Sequence, residues 1–161
     1  MAVQFTENVP QMALWSQSIG GFIINFGIAE FLTLRCVEKF AGKQAAIACK
    51  KKKLSERINA AKKALASSAL TVEEKKRSEI LWAEISKLSQ TRNRIAHNPL
   101  CPGFNKATNQ IVWSVIDLKK MVPVGENALE PLDYAEIAGA ALRVRDICQE
   151  LRTLIESAPM K

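Results

Sequence analysis

Histidine occurs once in the 161 residues, at position 97. A single histidine excludes every site that needs two from one protomer. Cys2His2 fingers, HExxH metalloproteases and three-histidine zinc centres fall on that ground. Cysteine is sparse as well. Cys36, Cys49, Cys101 and Cys148 form no CxxC pair and follow no metal-ligand spacing. They read as reduced structural thiols of a cytosolic protein, with a regulatory disulfide as the other reading. The chain has no Walker A loop, no GxGxxG and no GxSxG. No cofactor and no metal is implied. There is no internal repeat and no linker rich in glycine or proline, so one domain over residues 1–161 is the reading.

Charge is missing from residues 9–29, which include the apolar run Ile19–Ala29. Glu7 precedes this stretch and no basic segment does, which argues against a secretory signal. Gln11, Ser16, Gln17, Ser18 and Asn25 interrupt it, and Glu30 follows, which argues against a membrane span. A buried core helix, or one packed on a partner, is the reading. Cytoplasm without a membrane partner is the default location.

What the chain has in excess is positive charge, and it is local. The formal net charge is +7, from 23 Lys+Arg against 16 Asp+Glu. Thirteen basic and five acidic residues lie between Lys50 and Arg94, so the whole excess sits there. Lys50, Lys51, Lys52 and Lys53 are consecutive, and Arg57, Lys62, Lys63 and Lys75-Lys76-Arg77 follow. Two readings are open. One is a surface for polyanions, nucleic acid before anionic membrane. The other is a solvated helix face.

The element pattern is mostly helical. A first helix is predicted from about Pro10 to Ala41, with a candidate break at Gly20-Gly21. A second runs from about Gln44 to Ser67. Thr71 with Glu74 forms a capping box for a third, which continues to about His97 before Pro99. Residues 100–109 read as a loop. Ile111–Ile116 and Met121–Val124 read as a short hairpin. A last helix starts near Pro131 or Asp133 and ends near Ser157, with Ile137, Leu142, Val144, Ile147, Leu151, Leu154 and Ile155 at helical spacing.

The third helix carries the most information. At about 100° per residue, Ile85, Leu88 and Ile95 fall within about 40° of Leu81, as one apolar stripe. Arg92 falls inside it, where an unpaired charge is costly. A second sector holds Trp82, Ser86, Asn93 and His97 and no charge. It reads either as a homodimer seam or as the second side of an interior helix. Asn93 and His97 lie about 40° apart, whereas Arg92 and His97 lie about 140° apart. A lone histidine at a helix C-terminus also has a plain use, as a partner of the helix dipole.

The string Arg92-Asn93-Arg94-Ile95-Ala96-His97, followed by Asn98-Pro99, resembles the RNxxxH signature of HEPN domains. The long first helix with its acidic Glu30, the motif closing a middle helix, and the last helix fit that pattern too. The resemblance implies an all-α, antiparallel HEPN-like bundle with a small β-hairpin after the third helix. It implies a metal-independent endoribonuclease in which two protomers bring two histidines to one cleft. His97 would be the general acid or base. Arg92 would stabilise the phosphorane charge. Asn93 would orient His97 or the phosphate. Glu30 is expected to pair with Arg92, the alternative being a surface position. Lys50, Lys51, Lys52, Lys53, Arg57 and Arg94 are the expected RNA contacts. The implied partners are RNA, a second copy through the first and third helices, and an antitoxin protein if the chain is a toxin. Some members of the family act in phage defence. Others are non-catalytic binding modules.

Overall fold

The structure, a computed structural model, describes residues 9–98, 100–116 and 129–159. The chain is mostly helical with one small sheet. Five helices occur among these residues: α1 (Val9–Ala41), α2 (Lys43–Lys50), α3 (Leu54–Ala66), α4 (Val72–His97) and α5 (Tyr134–Ser157). The strands are β1 (Leu100–Asn105), β2 (Gln110–Ile116) and β3 (Leu129–Pro131). The chain forms two compact units. The first holds residues up to Ile23 together with Gln90–Leu142, and the second holds Ile24–Ser89 together with residues from Arg143 onward. α1, α4 and α5 contribute to both.

α1 runs through Gly20-Gly21 without a break. Its buried residues Phe22, Phe26, Ala29, Leu32 and Cys36 recur every three to four positions, and Trp15 and Val37 lie on the same stripe. Leu14, Ile24 and Phe31 face solvent, at 50%, 68% and 57% exposure. By length and composition the helix could cross a membrane, and only 33% of its most apolar window is buried. The second predicted helix is two helices. The break falls at Lys51-Lys52-Lys53; a continuous helix would set Lys50 and Lys53, three residues apart, side by side as like charges. Between them Lys52 N–H donates to the Cys49 carbonyl in a tight turn.

The capping box at α4 forms as its spacing predicts. Thr71 N–H donates to Glu74 Oε2 at 2.8 Å, and Glu74 N–H donates to Thr71 Oγ1 at 3.2 Å. Asp133 is the N-cap of α5, its Oδ1 accepting from Ala135 N–H at 2.7 Å. In the second unit α4 and α5 run antiparallel. Arg77 holds Glu150, and Arg143 grips Glu84 through two bonds of 2.7 and 2.8 Å. α1 and α5 run in the same sense: Cys148 Sγ meets the Asn25 carbonyl, and Lys39 Nζ donates to the Ile155 and Glu156 carbonyls at 2.6 and 3.1 Å. That ammonium neutralises the negative end of α5. Leu81, Ile85, Val144, Ile147 and Leu151 are fully buried, whereas Leu142 is 53% exposed.

The sheet corrects the predicted loop at 100–109. Leu100–Asn105 is a strand, paired antiparallel with Gln110–Ile116 from Leu100↔Val115 to Asn105↔Gln110. The order β1-β2-β3 leaves β1 at the edge, where Pro102 needs no ladder donor on its outer side. Asn105 Oδ1 accepts from Ala107 N–H at 3.0 Å and Asn109 takes a φ of 53°, which closes the turn. β3 pairs with the far end of β2 through Ser114↔Pro131 to Ile116↔Leu129. Met121–Val124, the predicted second hairpin strand, lies outside the described residues.

Candidate functional site

α4 carries the candidate residues to its last turn. Leu81, Ile85 and Ile95 are buried and set the helix rotation. Arg92 is then half-buried, while Asn93 and His97 are exposed. The guanidinium reaches out of the apolar stripe, which removes the cost of burying it alone. Its Nη1 donates to Asn93 Oδ1 at 3.0 Å. Asn93 and His97 lie one turn apart on the same exposed side. Arg92 and Asn93 therefore meet directly, and Asn93 shares a face with His97.

The turn that bears His97 is held at two points. Asn98 Nδ2 donates to the Arg94 carbonyl at 2.9 Å, filling an acceptor that the helix end leaves open. Arg94 Nη2 donates to the Pro131 carbonyl at 3.2 Å, tying the same turn to β3. Arg94, expected as an RNA contact, is half-buried and serves this tie. Sequence reasoning quoted Asn98 but gave it no role. Its signal was an asparagine directly after a helix-ending residue, a position where an amide side chain can reach back.

Glu30 and Arg57 lie in the second unit. Arg57 Nη2 donates to Glu30 Oε2 at 3.0 Å, with the side chains 15% and 22% exposed. The Arg57 Nε is buried with no acceptor among the described residues. Arg57, expected on RNA, is thus an ion-pair partner inside the fold. Glu30, expected to fix Arg92, spends a carboxylate oxygen on Arg57. Lys50, Lys51, Lys52 and Lys53 are all exposed, at the end of α2, the turn and the cap of α3.

The four cysteines are free thiols. Burial pushes the Cys36 thiol up to about 12 and the Cys148 thiol up to about 11, the nearby Arg152 offsetting part of the second shift. Neither is a thiolate near neutral pH. Among the described residues no three His, Cys, Asp or Glu side chains cluster as metal ligands would. No family model, curated protein or solved structure matches the chain.

Proposed function

We propose that the chain is a HEPN-type endoribonuclease that acts as a homodimer, in a toxin or phage-defence role. The observation that carries this reading is the end of α4. An arginine, an asparagine bonded to it, and an exposed histidine stand there in the RNxxxH order. One His97 would take the proton of a ribose 2′-hydroxyl as that oxygen attacks the adjacent phosphorus. The second protomer's histidine would protonate the departing 5′ oxygen. Arg92 would neutralise the phosphorane and Asn93 would orient the phosphate. The products are a 2′,3′-cyclic phosphate and a 5′-hydroxyl. The exposed Ile24 and Phe31 of α1, and Ile80 of α4, support pairing of two copies through these helices. If the chain is a toxin, an antitoxin protein would be a further partner.

Glu30 stays in the proposal as the carboxylate that would pair with Arg92. The experiment is incubation of mixed RNA with the purified chain in EDTA, with end-group analysis of the products. Cleavage to cyclic-phosphate ends, lost in His97→Ala and Arg92→Ala at unchanged oligomeric state, is the expected result. Intact RNA under all conditions would leave the alternative, a non-catalytic RNA- or nucleotide-binding or protein-interaction module, for which the exposed lysine run speaks.

A further inference from the structure

α2 and α3 carry an unbalanced charge. Between Lys43 and Ser67 stand eight basic residues and one acidic residue, Glu56. One of the eight, Arg57, is neutralised by Glu30. The lysines of the turn have no such partner in their own segment. α3 adds to the imbalance, because its N-cap is Lys53 and no side chain caps it. The first N–H groups of α3 and the positive end of its dipole therefore point toward a stretch that already holds four ammonium groups. Glu56 in the first turn of α3 is the one carboxylate set against this charge, so the stretch keeps a net positive charge that favours an anion.

A hollow lies beside this charge. Ala45 and Ala48 of α2, Ala60 and Ala64 of α3, and Lys52 and Lys63 are among the residues around a cavity of about 420 Å³. Alanines where two helices face each other leave the space unfilled, and no carboxylate lines it. The volume lies within the ~300–1,000 Å³ of small-ligand sites. An apolar floor whose only charged lining is Lys52 and Lys63 fits a ligand with one flat apolar part and one anionic part. A nucleotide in an unpaired strand has both. Duplex RNA presents its phosphates and keeps its base faces stacked.

We propose that the α2–α3 groove binds a single-stranded segment of RNA. Phosphates sit at Lys52, Lys53 and the start of α3, and an unstacked base lies on the alanine floor. The choice of RNA rests on the ribonuclease reading. The groove also places Arg57 outside the RNA surface.

The test is fluorescence anisotropy with a single-stranded RNA 12-mer and with its duplex, on the His97→Ala chain so that substrate stays intact. Ala48→Leu, and Ala48→Leu with Ala60→Leu, fill the groove without changing charge. They are expected to weaken single-strand binding at least fivefold and to leave duplex binding unchanged. Lys52→Glu with Lys63→Glu is expected to weaken both RNAs and flatten the salt dependence. Thermal melts show that each variant is folded, and the single change at exposed Ala48 suffices if the pair is not. Groove-filled chains that bind the single strand like the parent overturn the proposal. So does binding to phosphatidylserine vesicles that groove filling abolishes while RNA binding persists. Groove-dependent binding without any cleavage by the wild-type chain would sink the ribonuclease reading and leave the groove standing.

Discussion

Replacing Glu30 by Gln tests the ion pair that this carboxylate makes with Arg57. Glu30 and Arg57 meet at 3.0 Å with 22% and 15% of their side chains exposed. At that distance the Coulomb attraction is about 1.4 kcal/mol with the permittivity of water, and about 5.5 kcal/mol at an effective permittivity of about 20. Desolvation offsets much of it. Exposed pairs are worth ~0.2–1 kcal/mol, and breaking a fully buried pair costs ~3–5 kcal/mol. This pair lies between, and Glu30→Gln should cost about 1–2 kcal/mol. For a chain of this length that is about 3–6 °C in Tm. Arg57→Met should cost a similar amount, partly through loss of the guanidinium bond. The double variant should be less destabilised than the two singles together, because the second change removes a charge that the first left unpaired. The assay is urea unfolding of the four proteins as a double-mutant cycle. A coupling within about 0.3 kcal/mol of zero would refute the reasoning.

Three further outcomes follow from named contacts. Thr71→Ala removes one arm of the capping box at α4 and should lower stability by about 1 kcal/mol in the same unfolding assay. The Arg77 guanidinium holds the Glu150 carboxyl below the ordinary carboxylate range. That pair's contribution is therefore complete above the ordinary carboxylate pKa and is lost as pH falls through the lowered one. A stability profile measured into acid should be flatter for Glu150→Gln than for the parent. Asn98→Asp keeps the shape but, once ionised, cannot donate to the Arg94 carbonyl. Faster amide hydrogen exchange in residues 94–98 is expected, with α5 unchanged.

The helices were legible because their signals are local. Thr71 and Glu74 mark a start three residues apart, and Leu81, Ile85 and Ile95 repeat on one face. The break at Lys51–Lys53 was hidden, since lysine is a good helix former one residue at a time. Strand β1 was hidden because Pro102 and Gly103 read as loop residues. An edge position cancels the objection to Pro102, and edge position is a property of the sheet. At the site, Arg92, Asn93 and His97 were legible as a motif, and Arg92's conflict with its apolar stripe was visible. The contacts that Arg57 and Arg94 make within the fold were not. A basic residue in a basic stretch looks free until tertiary structure brings a carboxylate or a carbonyl to it.

The central claim is that one histidine per chain becomes two per active site. It is tested by mixing wild-type and His97→Ala chains, allowing subunits to exchange, and measuring RNA cleavage in EDTA at constant total protein. If both histidines of a pair are needed, activity falls as the square of the wild-type fraction. A linear fall would mean that one chain suffices, and absence of cleavage by the wild-type chain alone would contradict the account outright.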